Sequence, residues 1–253
     1  MKTPLSLITS RLSRLFGSEV VHIRNMQLPA KHLRLCGTEF DDDEHFIDSA
    51  FAEADRLVEY LGLNSRSRIL DVGCGPGRLA IGILNRVGQV QQYSGVDIVR
   101  KRIKWCQRHI ARQHSNFQFD HIDIHNPRYN PGGKPIDAGF RFPFGDHQFD
   151  IVYLYSVFSH MVSDEVQVYL CEFQRLLKPS GKIFLTAFVE DVVPEMTINP
   201  KDYYRSWKGP LHCVRYEMNF FGSLLSEHGF KIDHLERDWS ADGQNCLYIS
   251  RRD

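Results

Sequence analysis

The sequence has no long apolar run. Its longest mainly apolar stretch, Ile151 to Phe158, falls far short of the roughly 20 residues that span a bilayer. Near the start, Leu5, Leu7 and Ile8 follow Lys2, but Thr9, Ser10 and Arg11 break the run. A signal-peptide core of about 7–15 apolar residues therefore does not form. Cysteine is sparse: six residues, at 36, 74, 106, 171, 213 and 246, with no two closer than 32 positions. This spacing leaves no CxxC metal knuckle and no dense disulfide framework. Free thiols in a reducing cytoplasm are the expectation, and no metal site is expected. Net charge is also missing, because 31 basic and 31 acidic residues cancel. A strong nucleic-acid binder usually carries a positive excess, so nucleic acid is not the expected partner, although a local patch stays open. There are no internal repeats and no low-complexity tracts.

What is present is globular. The chain has 253 residues, 42% hydrophobic, 12% aromatic and 25% charged, which suits a sizeable core and one to two domains. Its first 36 residues hold six Lys or Arg against the single acid Glu19, whereas residues 39–55 hold eight acids and no Lys or Arg. The change marks residues 1–40 as a basic arm or lid and residues 41–253 as the main domain. Within the arm, Leu5, Ile8, Leu12 and Leu15 fall on one helical face beside Arg11 and Arg14. Such a helix docks on its own domain or a partner; weak peripheral contact of residues 1–16 with a membrane surface is the other reading.

Asp41-Asp42-Asp43-Glu44 precedes the periodic run Ile47, Ala50, Phe51, Ala54, Leu57, Val58 and Leu61, which stops at Gly62. The acids read as a helix N-terminus, where carboxylates meet free N–H groups. From residue 68 strands and helices alternate. Strands are expected at Arg68–Val72, Gln92–Asp97, Asn116–Asp120, Phe149–Tyr155 and Gly181–Phe188. Helices are expected at Gly77–Val87, Arg100–Gln113, Ser163–Leu177 and Tyr216–His228. Residues 126–145 read as a Pro- and Gly-rich loop, and residues 189–213 carry no clear period. Two closing strands, Phe230–Glu236 and Cys246–Ser250, joined through Asp242-Gly243, read as an antiparallel hairpin. The implied fold is α/β: a Rossmann-like, mostly parallel seven-stranded sheet with helices on both faces.

The sharpest segment is Ile69-Leu70-Asp71-Val72-Gly73-Cys74-Gly75-Pro76-Gly77-Arg78-Leu79-Ala80. An apolar strand ends in a carboxylate and a glycine loop opens a helix, so a ligand can approach bare backbone. Arg78 stands where the GxGxxG dinucleotide fingerprint needs its last glycine, which argues against a nicotinamide dehydrogenase. Asp97 ends the next strand, in Tyr93-Ser94-Gly95-Val96-Asp97, where a carboxylate accepts both hydroxyls of a ribose.

These residues resemble the class I S-adenosylmethionine-dependent methyltransferases, most closely over residues 65–187 and more loosely to 250. Three further stretches carry the likeness. Phe119-Asp120-His121-Ile122-Asp123 resembles the third-strand motif whose acid meets the adenine amino group. Phe142-Pro143-Phe144 through Phe149-Asp150-Ile151-Val152 resembles the run into the fourth strand. Arg175-Leu176-Leu177-Lys178-Pro179-Ser180-Gly181-Lys182 resembles the turn before the fifth. The resemblance implies S-adenosyl-L-methionine as cofactor and S-adenosyl-L-homocysteine as product. It implies cofactor contacts from Asp71, Gly73, Cys74, Gly75, Gly77, Asp97, Ile98, Asp123, Ile124 and Tyr155. Within it, Asp150 reads as securing the loop before its strand rather than as a base.

The acceptor is less defined. The fourth strand runs into Tyr153-Leu154-Tyr155-Ser156-Val157-Phe158-Ser159-His160-Met161, without the (D/N)PPY motif of amino-group methyltransferases acting on bases or glutamine. His160 falls just past the C-terminal end of that strand, where ligands meet open α/β sheets. It reads either as the base that takes a hydroxyl proton or as a residue packing the next helix. Residues 189–215 form the stretch that covers the acceptor in many relatives. They bring Tyr203, Tyr204, Trp207, His212 and Arg215, a set suited to a sugar, a phenol or another amphipathic small molecule. Arg100, Lys101, Arg102, Lys104, Arg108 and Arg112 read as the solvated face of one helix. The leading expectation is O-methylation of a small molecule. The rivals are an RNA or protein methyltransferase, and a catalytically silent subunit that binds cofactor or a partner.

Overall fold

The alternation read from the sequence is realised from Arg68 onward, preceded by a small hairpin and a long helix. The computed structural model describes residues 19–34, 37–203, 206–237 and 243–252. The stripe from Leu5 to Leu15, Tyr204 and Asp242 lie outside the described residues. Strands β1 (Val20–Ile23) and β2 (Met26–Pro29) pair antiparallel. Their two-residue turn, Arg24-Asn25, has φ of 48° and 62°, the left-handed pair that matches strand twist.

Helix α1 (Asp43–Leu61) starts where the acidic run ends. The Asp42 carboxylate accepts the His45 N–H at 2.8 Å, so the run does include a cap. The helix buries Phe46, Ile47, Ala50, Ala54, Leu57 and Leu61. Helix α2 (Arg78–Arg86) lies against it so closely that a Cβ on Gly82 would stand 2.0 Å from the Ala50 carbonyl oxygen. Only glycine allows that approach.

Next come β3 (Arg68–Val72), β4 (Gln92–Asp97), α3 (Arg100–Cys106), β5 (Phe117–His121), β6 (Phe149–Leu154), α4 (Ser163–Leu176) and β7 (Leu177–Glu190). The chain continues through β8 (Met196–Ile198), β9 (Val214–Glu217), α5 (Met218–Glu227), β10 (Phe230–Glu236) and β11 (Asn245–Arg251). The main sheet runs β10-β11-β7-β6-β3-β4-β5. Strands β5, β4, β3, β6 and β7 are parallel neighbours, and β11 is antiparallel to both β7 and β10. The expected closing hairpin therefore forms, but its second strand is inserted between β7 and β10. One apolar layer lies under α1, α2 and α3, and a second lies under α4 and α5.

The structure differs from the sequence reading in several places, among them the β1–β2 hairpin within the expected arm and the start of β7 at Leu177 instead of Gly181. Residues read as aperiodic contain β8 and β9; β9 adds in parallel to the end of β7 at Phe188–Glu190. Tyr216 consequently belongs to a strand, and α5 begins at Met218. The helix expected over Arg100–Gln113 changes at Gln107 into a wider turn, Gln107–Ala111. Asp150 sits at the start of β6, far along the strand from the glycine loop, and takes the Arg68 N–H at 2.8 Å and the Lys178 ammonium at 2.6 Å. Among the described residues no helix is long and apolar enough to cross a membrane.

Candidate active site

The C-terminal ends of β3, β4 and β6 open into one cavity of about 1250 Å³. Ligand clefts are typically about 300–1,000 Å³, so this cavity lies above the usual size for one ligand. Gly73, Gly75, Asp97, Ile98, Ile124 and Tyr155 line it at one end. His160, Tyr129, Met161, Phe188, Trp207 and His212 line it at the other. Residues 31–34 and 37–41 form part of the wall, with Lys31, His32, Gly37 and Thr38 on the lining.

The glycine loop is held by the neighbouring strand. The N–H groups of Gly73 and Cys74 both donate to the Val96 carbonyl, at 2.8 and 3.0 Å. Gly75 has φ of 55°, and a Cβ built there meets no atom within 4 Å. Its bare backbone therefore faces open cavity. The Gly75 N–H donates to Asp97 Oδ2 at 2.8 Å, and the Val99 N–H donates to Oδ1 at 2.6 Å. Each Asp97 oxygen thus spends one acceptor site on backbone and keeps another. Burial raises the Asp97 pKa, opposed by the nearby Arg102 and by the two N–H donors.

Other residues expected at the cofactor lie differently. Asp71 is buried beneath the loop, bonded to the Tyr93 hydroxyl, and does not line the cavity. Its pKa is pushed up to about 7 by burial, against the Tyr93 hydrogen bond. The Cys74 thiol is buried 3.6 Å from the Gly75 carbonyl oxygen, and burial pushes its pKa up. Gly77 caps α2 from below, against Cys106 and Ile110. Asp123 is exposed and accepts from Asn130 Nδ2 at 3.2 Å. Arg78 is buried, its guanidinium 4.2 Å from the Tyr155 ring centre and 3.4 Å from the Tyr153 hydroxyl.

At the far end, His160 closes a short 3-10 turn, Phe158–His160, just beyond β6. Its Nδ1 lies 2.9 Å from the Leu211 carbonyl oxygen. A carbonyl only accepts, so Nδ1 carries the proton and Nε2 holds the lone pair in the neutral ring. Nε2 lies 3.2 Å from the Tyr129 hydroxyl, and the two rings meet edge to face at 5.3 Å. Asn126 Nδ2 fixes the His160 carbonyl at 3.1 Å.

The 189–215 segment reaches this end in part. Trp207 packs against Phe188, Tyr203 and His212, with ring centres 5.6, 5.0 and 5.3 Å apart. Trp207 and His212 line the cavity; Tyr203 buttresses Trp207 from behind without lining it. Arg215 turns away, clamped by Asp202 at 3.0 Å and Glu190 at 3.3 Å. Sequence reasoning missed Tyr129, Arg128 and Arg102. The first two sit in the Pro- and Gly-rich loop, where no periodicity marks them. Arg102 hides among the helical cations: the other five are exposed, whereas Arg102 is only 7% exposed.

Residues 69–181 match the family model described as a methyltransferase domain. A demethylmenaquinone methyltransferase of Staphylococcus saprophyticus is 26% identical over 72% of this chain and 66% of its own length. A tRNA N(3)-cytidine methyltransferase of Gallus gallus is 29% identical over 50% of this chain and 32% of its own. Overall, the chain spans 32–66% of the length of the curated relatives it matches. A Burkholderia thailandensis 1,6-didemethyltoxoflavin-N1-methyltransferase, solved with its substrate and S-adenosylhomocysteine, shares the fold. It superimposes with a TM-score of 0.56 at 17% identity, over 100% of this chain and 92% of that one.

Proposed function

The chain carries a class I S-adenosylmethionine-dependent methyltransferase domain, and on that premise we propose that it methylates a small molecule at a hydroxyl oxygen. The cofactor end fits the group it would hold. Gly75 offers backbone with no side chain in the way, and Asp97 keeps acceptor sites for two ribose hydroxyls. Ile98, Ile124 and Tyr155 supply apolar and aromatic walls beside them. Bound there, S-adenosylmethionine supplies a sulfonium methyl group that an acceptor oxygen takes by in-line displacement, with S-adenosylhomocysteine as product.

The chain's own contribution is to align the two ligands and to move one proton. Alignment is the larger effect, because it removes the entropy of bringing reactants together. The observation that carries the oxygen reading is the fixed tautomer of His160. With Nδ1–H committed to Leu211, Nε2 points its lone pair toward Tyr129 and the aromatic end of the cavity. The acceptor hydroxyl replaces the Tyr129 hydroxyl at Nε2, and as its oxygen forms the bond to the methyl carbon, its O–H bond breaks and the proton passes to Nε2. The lining residues Lys31, His32, Gly37 and Thr38 on one side and Trp207 and His212 on the other would close the cavity over the acceptor, which favours small molecules.

The test is single-turnover methyl transfer from labelled cofactor into hydroxylated metabolite fractions, with His160→Ala alongside. The variant should lose about 10²–10⁴-fold in rate, the usual share of general base catalysis. Its affinity for S-adenosylhomocysteine should stay the same. A stable His160→Ala protein with near-normal rate removes the base. Label found in RNA instead of metabolites would move the reading to that of the Gallus gallus relative.

A further inference from the structure

The helix that follows β4 carries one arginine unlike its neighbours. Arg102 is only 7% exposed and lines the cavity. Its Nη1 lies 3.9 Å from Asp97 Oδ2, beyond hydrogen-bond reach. Its Nε and Nη2 are buried and have no hydrogen-bond partner among the described residues. A buried charged donor without an acceptor is costly, and proteins rarely keep one without a reason. Arg34 shows the contrast. It lies buried in the same wall, but its Nε takes the Pro29 carbonyl at 2.8 Å and its Nη1 takes Asp43 at 2.7 Å and the Phe40 carbonyl at 3.3 Å, which leaves Nη2 alone without a partner.

The two unpartnered nitrogens of Arg102 are not a random pair. Nε and Nη2 form the side-on edge of a guanidinium, where two parallel N–H bonds match two oxygens of a carboxylate or phosphate. Nη1, the nitrogen turned toward Asp97, is not on that edge. The guanidinium stands 5.9 Å from the Tyr129 ring centre, and Tyr129 is the residue that meets His160. Arg128 approaches the same ring at 5.4 Å, with Nη1 on the Lys208 carbonyl and a buried Nε lacking a partner. Two cations therefore approach the ring that meets the proposed base.

From this we infer that Arg102 is a specificity-determining fork for an oxyanion, and that the molecule methylated beside His160 carries a carboxylate or phosphate group. The inference rests on the proposed two-ligand use of the cavity and deepens it: the acceptor is an acid with a hydroxyl, not a neutral phenol or sugar. Adenosine brings no anion to Arg102. The cofactor's own carboxylate belongs to its methionine part, which the resemblance to the methyltransferases places at the first motif, Asp71 to Gly77.

The experiment uses the full chain saturated with S-adenosylhomocysteine and titrates three probes of one shape: benzoate, phenyl phosphate and neutral benzamide. Benzoate or phenyl phosphate should bind about ten-fold or more tightly than benzamide, as a charge-assisted bidentate pair requires; which of the two wins distinguishes a carboxylate from a phosphate source. Arg102→Gln should bring that ratio to within about two-fold, while Arg102→Lys, which keeps a point charge but not the fork, should fall between. Equal binding of all three probes to the wild-type protein overturns the fork without using any variant. If Arg102→Gln weakens S-adenosylhomocysteine about ten-fold but leaves methylthioadenosine, which lacks the carboxylate, unchanged, the fork serves the cofactor and the inference fails. Failure of the wild-type protein to bind S-adenosylhomocysteine at all defeats the cofactor reading instead, a result distinct from either.

Discussion

Replacing Gly75 by alanine separates binding from folding more cleanly than any other change in the loop. A Cβ at this position meets no protein atom within 4 Å, so the added methyl group causes no clash with the protein. The folding cost is confined to the backbone. The residue has φ of 55°, and a side chain held in the left-handed region costs about 1–2 kcal/mol. For a chain of this size, 1 kcal/mol lowers the melting temperature by about 2–4 °C, so Gly75→Ala should melt about 2–8 °C below the parent. The same methyl group stands where the cofactor must come against the main chain. Affinity for S-adenosylhomocysteine should fall by at least about ten-fold, roughly 1.4 kcal/mol. Gly82→Ala gives the opposite pattern. Its Cβ would lie 2.0 Å from the Ala50 carbonyl oxygen, so α1 and α2 must separate. Overpacking of that kind costs about 1–3 kcal/mol or more, with no direct effect on the cavity. Differential scanning calorimetry and isothermal titration of both variants check the pair. Wild-type affinity in a folded Gly75→Ala protein would falsify the placement of the ligand against the loop.

Three further outcomes follow from the site. Asp97→Ala should weaken S-adenosylhomocysteine by about 1.5–3 kcal/mol, because the carboxylate is lost both to the ribose and to the Gly75 and Val99 N–H groups; titration calorimetry on the folded variant measures it. Asp71 has a pKa raised by burial to about 7, so its contribution to stability is fully present below the unfolded value of 3.8 and declines as pH rises toward 7. Asp71→Asn should therefore melt higher than wild type at pH 8 and lose that advantage near pH 4; melting curves at the two pH values decide it, and a pH-independent difference refutes it. Turnover should persist in EDTA, since among the described residues no group of three or more His, Cys, Asp or Glu side chains is arranged to hold a metal ion; activity lost in EDTA and restored by magnesium overturns this.

The sheet was legible because parallel strands buried on both faces read as short apolar runs, as in Arg68–Val72 and Phe149–Leu154. The glycine loop was legible from its three glycines only in company with the strand ending at Asp71 and the second carboxylate, Asp97. Strand β9 was not: it has four residues, and Tyr216 and Glu217 run without a break into a helical pattern. The β1–β2 hairpin left a usable signal in Val20-Val21-His22-Ile23 followed by Asn25, obscured by the basic character of the arm. Arg102 could not be found by composition, because one buried arginine among six cations has the same sequence signature as an exposed one. What distinguishes it is the path of the loop after β5, which brings Tyr129 over it. Arg215 illustrates the reverse: its chemistry suited an acceptor, but Asp202 and Glu190 hold it elsewhere.

The insertion of β11 between β7 and β10 has a consequence for the order in which the molecule becomes competent. Gln244, one residue before β11, accepts from the Thr186 hydroxyl at 2.9 Å and donates to the Ser156 hydroxyl at 3.1 Å. Thr186 in turn accepts the Ser156 N–H at 2.8 Å. Ser156 has φ of 56° and begins the turn that leads to His160. A ribosome that has released every residue of the glycine loop, of β6 and of His160 has therefore not yet made an assembled site. Until residues 244–251 emerge, β7 presents an open edge and the Ser156 turn lacks its clasp. Nascent chains halted before that point should be sticky and lack the clasp together, which couples assembly of this turn to the release of residues 244–251.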